Sequence, residues 1–234
     1  MTLRSSDSTA IDSRLQEFIR YSELKQLAYN IATLQQKKMF RSLAVLSCLP
    51  AEGKTLFCAA MAMAYVETCR SKVLVVDTTT MQHEGSLVLR DCFNGSAPLV
   101  EVLSLEDLRN GSGGSVPPCA ARYREDNEPV QEPEVTHDMP SMSLSVPGGT
   151  DLSLIQSVAA ERSKQYGLVL LDTISLSAKN RNNVDALLVA HMSGASVLVV
   201  SQKFLNAPGL NASLKVLRDP ALHLIGLVSN EAYS

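Results

Sequence analysis

The sequence has 234 residues, 45% of them hydrophobic, and 21 Lys and Arg against 24 Asp and Glu give a formal net charge of −3. That length suits one globular domain with enough core to fold without disulfide or metal. The slightly acidic balance excludes a dedicated nucleic-acid-binding domain, whose polyanionic partner demands a basic excess.

No apolar run approaches the roughly 18 residues of a membrane span. The opening MTLRSSDSTAIDSR lacks the apolar stretch of a secretory signal, so the expectation is a cytoplasmic protein with no direct membrane insertion. Cys48, Cys58, Cys69, Cys92 and Cys119 form neither a CxxC pair nor a zinc-ligand spacing with histidine and read as reduced thiols. With no Trp and 5% aromatic residues, a stacking platform for single-stranded nucleic acid is also excluded.

Residues 1–14 are polar and read as a flexible N-terminus, leaving 15–234 as a single domain. From Leu15 to Lys38 the pattern is helical, with Leu24, Leu27, Ala28, Ile31 and Leu34 on one apolar stripe. Glu23, Lys25, Gln26 and Gln35 are assigned to the other faces. Preceding any strand, this helix is expected to pack on the outside of the later elements. SLAVLS (Ser42 to Ser47) reads as a buried strand, LPAEGKT as a loop, and LFCAAMAMAYVETC from Leu56 as a buried helix rich in Ala and Met. Lys72 to Asp77, Tyr166 to Asp172, Ala195 to Ser201 and His223 to Asn230 repeat the short apolar strand character. Leu152 to Lys164, Val184 to Met192 and Gly209 to Leu217 supply intervening helices. Apolar strands alternating with helices predict a doubly wound α/β fold, with a mostly parallel sheet covered on both faces.

Residues 111–140 break that rhythm. They hold five of the ten prolines and, from Cys119 onward, six acids against Arg122 and Arg124. Such a composition cannot bury enough apolar surface to offset its ordering entropy, so the segment reads as a disordered surface insertion within one domain.

The chemistry concentrates at Pro50-Ala51-Glu52-Gly53-Lys54-Thr55, between a strand and a helix. A P-loop wraps backbone N–H groups around a phosphate at the positive N-terminus of the next helix. Gly53 allows close backbone approach, Lys54 neutralises β/γ oxygens, and Thr55 offers its hydroxyl to Mg²⁺. The strict pattern G-x-x-x-x-G-K-[ST] has glycine where this chain has Cys48. Two later apolar strands end in Asp77 and Asp172, at the carboxyl edge where ligands of parallel sheets gather. One carboxylate can hold Mg²⁺ or its water, and the other can orient or deprotonate an attacking group. An aspartate at a strand end can also simply cap the following helix, but here three separate elements point to one pocket. His83, His137, His191 and His223 are scattered and show no ligand spacing.

The stretch VLSCLPAEGKTLFCAAMAMAYVETCRSKVLVVD resembles the first half of the bacterial tyrosine kinases (BY-kinases). The likeness continues through APLVEVLS, LSVPGGTDLSLIQS, YGLVLLDT, which is similar to Walker B, and NVDALLVAHMSGASVLVVSQ, covering roughly residues 20–230. It implies the P-loop NTPase fold of the SIMIBI/MinD-like class, with an N-terminal packing helix. It also implies an ATP- and Mg²⁺-dependent protein-tyrosine autokinase of exopolysaccharide or capsule synthesis. Such a protein works with a membrane polysaccharide chain-length regulator (co-polymerase) at the inner face of the cell membrane and forms homo-oligomers. Lys54, Asp77 and Asp172 would be catalytic, with Thr55, Asp77 and Asp172 at the metal.

Departures from the family pattern point elsewhere. The second motif reads D-x-D-x-R in the family; here Asp77 matches the first acid, but Thr79 and Met81 replace the second acid and the arginine. Ile174 and Ser175 stand where two prolines usually follow D-T. Tyr233 is the only tyrosine of a tail that is tyrosine-rich in the family. Glu23 matches the ring-assembly helix, whereas Gln26 and Tyr29 replace its arginines. A threonine cannot act as a general base at neutral pH. An alternative is therefore a catalytically weak or inactive pseudokinase that regulates a membrane partner as a scaffold. A third reading, a MinD/ParA-like localising ATPase, would carry a second lysine early in the P-loop, where Leu49 and Pro50 stand.

Overall fold

In a computed structural model, residues 22–79, 89, 93, 97–110, 149–162, 164–178, 184–204, 206–207, 210–219 and 222–230 are described. The expected N-terminal arm, the 111–140 insertion and Tyr233 lie outside them. Helix α1 (Ser22–Lys38) leads into strand β1 (Ser42–Ser47), followed by α2 (Lys54–Cys69), β2 (Val73–Asp77), β3 (Val100–Ser104) and α3 (Leu105–Arg109). Then come α4 (Gly149–Arg162), β4 (Leu168–Asp172), α5 (Ala186–Met192), β5 (Ala195–Ser201), a 3₁₀ turn, α6 (Leu210–Val216) and β6 (Leu224–Asn230).

The six strands form one sheet in the order β3-β2-β4-β1-β5-β6, and every neighbouring pair is parallel. Strands β1, β2, β4 and β5 are buried almost throughout. Their near-continuous apolar runs follow from helices covering both sheet faces. On one face Leu43, Val45, Val73, Val75, Leu168 and Leu170 pack with α1 and α2. On the other, Ala44, Leu46, Leu74, Val76, Val169 and Leu171 meet α3 to α6 through Leu105, Ile155, Val189 and Leu210.

Helix α1 packs on α2 as its stripe requires, with Leu24, Ala28 and Ile31 buried. Gln35 does not sit on a polar face. It is buried; its Nε2 donates to the Gly167 carbonyl at 3.0 Å and its Oε1 accepts from Tyr65 OH at 2.7 Å, so its polar atoms are satisfied inside. The α2 helix starts at Lys54, two residues before the expected Leu56, which places Lys54 and Thr55 in its first turn.

Strand β3 and helix α3 escaped the apolar pattern. Glu101 interrupts β3, where it pairs with Arg162 at 3.1 Å and accepts from the Tyr166 hydroxyl. The five-residue α3 is held by a capping box between Ser104 and Asp107. At its end Arg109 makes a bidentate contact with the buried Asp151 of α4, Nε to Oδ1 at 2.7 Å and Nη2 to Oδ2. This fork-to-fork pair fixes the chain at the two ends of residues 111–148.

Candidate nucleotide site

Parallel strands deliver their last residues to one edge, and the ends of β1, β2 and β4 lie side by side there. The register sets Asp77 of β2 directly opposite Asp172 of β4, while β1 runs along the other side of β4. The loop after β1 closes over this edge. Ala51 takes a left-handed backbone (φ 61°), as does Gly53 (φ 90°) immediately before α2. Such conformations turn successive amides inward and make an anion-binding concavity at the positive end of α2. The segment after β4 secures the start of the loop, with Leu176 N–H donating to the Ser47 carbonyl at 2.9 Å and Ser177 N–H to the Cys48 carbonyl at 3.1 Å.

The structure brings Lys54, Thr55, Asp77 and Asp172 to this edge. Thr55 Oγ1 donates to Asp172 Oδ2 at 2.7 Å. Lys54 Nζ reaches back along the loop to Ser47 Oγ at 2.8 Å. Burial lowers the Lys54 pKa, opposed by the charge of Asp172 and, to a lesser degree, of Cys58 and Glu52. Asp172 is buried, and desolvation pushes its carboxyl up to about 6, with Lys54 opposing and Asp77 adding to the rise. Its Oδ1 is buried without a hydrogen-bond partner. The Cys58 thiol lies against the carboxylate, and burial raises that thiol well above its usual range.

An orphaned carboxylate oxygen beside a threonine hydroxyl, within an amide-lined loop, fits a hydrated Mg²⁺ carried by phosphates. That ion favours hard oxygen donors and keeps several waters. Among the described residues no group of three or more His, Cys, Asp and Glu side chains could hold a metal by itself, so phosphate oxygens and water would complete the shell.

Asp77 is differently engaged. Its Oδ1 accepts both the Thr79 N–H, at 2.9 Å, and the Thr79 hydroxyl, at 2.7 Å. Thr79, two residues on, thus holds the Asp77 carboxylate in its own turn. Thr78 N–H and Oγ1 both donate to the Asp172 carbonyl, at 3.0 and 2.9 Å, which locks the ends of β2 and β4 together.

Comparison with solved structures places this architecture. The kinase domain of the Escherichia coli tyrosine kinase ETK superposes with a TM-score of 0.56 at 15% identity, over 88% of this chain and 73% of that one. The kinase domain of VpsO gives 0.56 at 18% identity, covering 94% and 98% of the two chains. The BceF tyrosine kinase domain gives 0.56 at 16%, covering 98% and 91%. The chain has the fold of a bacterial tyrosine-kinase domain. No protein-family profile and no curated protein matches the sequence. With identities this low, the likeness establishes the kinase-domain fold, and the chemistry rests on the site's own residues.

Several participants in that site were not legible as motif residues. Ser47 receives Lys54. Glu52, read as part of the phosphate loop, turns its side chain inward and is completely buried. Asn230, the last residue of β6, reaches the loop from two strands away, its Nδ2 donating to the Glu52 carbonyl at 3.0 Å. One signal could have found Asn230: like Asp77 and Asp172, it is a polar residue closing an apolar strand, and a parallel sheet sends all such residues to one edge. His191 and His223 are exposed, and His191 approaches Asp219 at 3.6 Å, which accounts for it as a surface residue.

Proposed function

We propose that this chain is an ATP-binding component of exopolysaccharide or capsule synthesis, built like a protein-tyrosine autokinase and recruited to the inner face of the membrane by a chain-length regulator. One observation carries the nucleotide reading. Thr55 is bonded to a buried, half-satisfied Asp172, in the first turn of the helix that follows an amide-lined loop. Phosphates would lie against the amides of residues 51–55 with Lys54 as counter-charge, and Thr55 and Asp172 would hold Mg²⁺, the latter through water. The metal would neutralise charge on the β- and γ-oxygens. Among the described residues no helix is long and apolar enough to cross a membrane, in keeping with attachment through a partner.

Thermal unfolding with and without Mg·ATP tests this. A ligand bound only by the native state, at a hundredfold excess over Kd, adds about 2.7 kcal/mol. For a protein of this size that is roughly 5–10 °C in Tm. The wild type is expected to shift and Lys54→Ala to show almost none of that shift. Equal shifts in the two proteins, or none in either at millimolar nucleotide, would overturn the reading.

A second reading, a weak or inactive kinase acting as a scaffold, is favoured by the Thr79–Asp77 contacts. A carboxylate that already accepts two hydrogen bonds from its own turn is a poorer base, and threonine supplies no replacement. Thr79→Asp is therefore expected to raise the ATP hydrolysis or autophosphorylation rate by roughly ten- to a hundredfold, part of what a positioned general base contributes. An unchanged rate in a variant that still binds Mg·ATP would show that position 79 is not what limits turnover.

A further inference from the structure

Glu52 presents a problem that nucleotide binding alone does not solve. It is a carboxylate with 0% exposure, set inside a loop whose purpose is to receive an anion. Each of its carboxylate oxygens accepts a backbone N–H. Oε2 accepts the Leu49 N–H at 2.7 Å, at the opening of the same loop, and Oε1 accepts the Ser201 N–H at 3.3 Å, at the end of β5. Its backbone carbonyl accepts the Asn230 side-chain amide at the end of β6. The same Asn230 nitrogen would lie 2.2 Å from a Cβ on Gly53, so the asparagine is seated directly beneath the glycine of the cradle.

We propose that Glu52 and Asn230 form a brace that holds the phosphate loop in its binding shape, tying the loop's opening to the carboxyl ends of β5 and β6. The proposal rests on the nucleotide reading above and names the positioning residues of that site. Neither side chain need touch the nucleotide. The sequence explains why a brace is required. Cys48 stands where the strict pattern has its first glycine, and Pro50 has no N–H with which to pin the turn. The carboxylate of Glu52 takes up that work by bonding the loop to itself and to the sheet. Its two oxygens are met by the Leu49 and Ser201 amides. A loop already ordered before the ligand arrives saves the ordering entropy that binding would otherwise cost.

Calorimetric titration well below Tm, with Mg·ATP and with inorganic tripolyphosphate as separate probes, tests the brace. Glu52→Ala removes two charge-assisted hydrogen bonds and is expected to weaken both probes by roughly ten- to a hundredfold. Glu52→Gln keeps one acceptor oxygen and is expected to recover part of that loss, which a merely bulk-filling role would not do. Asn230→Ala is expected to weaken both probes as well, and the Glu52→Ala/Asn230→Ala pair to lose less than the product of the single losses, as for residues acting as one unit. Should Glu52→Ala fail to fold, Glu52→Gln and Asn230→Ala carry the same comparison.

Wild-type binding unchanged in the folded Glu52 and Asn230 variants overturns the brace and leaves the nucleotide site standing. A loss confined to Mg·ATP, with tripolyphosphate unaffected, also overturns it, because the side chains would then be contacting the nucleoside. Absence of binding of either probe by the wild type overturns the nucleotide reading and the brace together.

Discussion

Asp172→Asn is expected to raise the Tm of the ligand-free protein at pH 7.5 while removing most of the Mg²⁺-dependent part of its response to ATP. The carboxyl titrates at about 6 in the folded protein against 3.8 for an ordinary aspartate. Between about pH 4 and pH 6 the native state therefore binds more protons at this position than the unfolded chain does. Stability falls as pH rises through that window and stays reduced above it. The difference of about two pH units corresponds to roughly 3 kcal/mol by the time both states are ionised. Asparagine removes the titration and keeps an oxygen to accept from Thr55. Some of the gain is offset because Lys54 loses a neighbouring charge. A net gain of about 2 kcal/mol, or roughly 4–8 °C for a domain of this size, is the expected result.

Melting curves of both proteins from pH 4.5 to 8 check it. Their difference should vanish toward pH 4 and reach its plateau above pH 6.5. A variant that is no more stable than the wild type at pH 7.5 would show that the buried charge is not a liability. The stability forgone by the wild type would be the counterpart of function, since a carboxylate that destabilises the empty protein is one that a cation satisfies.

Gly53→Ala is expected to cost about 3 kcal/mol and to abolish phosphate binding. Two separate effects add. At φ 90° an L side chain meets its own backbone, at roughly 1–2 kcal/mol. The new Cβ would also lie 2.2 Å from Asn230 Nδ2 and 3.4 Å from its Cγ. The side chain can clear it only by swinging its amide off the Glu52 carbonyl, which leaves buried polar groups unpaired at a further 1–3 kcal/mol or so. Urea denaturation measures the first consequence and tripolyphosphate titration the second. A midpoint shift worth less than about 1 kcal/mol would mean that the loop relaxes around the methyl group, and that its shape is less determined than these contacts imply.

How much of this was readable beforehand depended on how local the cause was. Strands β1, β2, β4 and β5 announce themselves because both of their faces are buried, so their central positions are almost all apolar. Strand β3 lies at the sheet margin and carries Glu101 for Arg162 and Tyr166, and no run of apolar letters marks it. Helix α3 is too short to show a periodicity. Lys54 and Thr55 are legible from the GKT motif, and Asp77 and Asp172 from standing at strand ends, so the meeting of these four residues at one sheet edge could be read from the sequence. The supports of the site could not. Gln35 looks like a surface amide until Tyr65 and Gly167 are brought to it, and Glu52 looks like a phosphate-loop residue until Asn230 and Ser201 arrive from the far half of the chain. Contacts of that separation depend on strand order, which no single stretch of sequence contains.

The Arg109–Asp151 clasp has a consequence for how this chain can vary. Arg109 and Asp151 are fastened to each other, so the chain between them is closed at its base. Loop closure grows costlier only with the logarithm of length, about 0.6 kcal/mol for each doubling. Changes of chain length between Arg109 and Asp151 are therefore expected to cost the domain only this slowly growing term, provided that the clasp itself is kept.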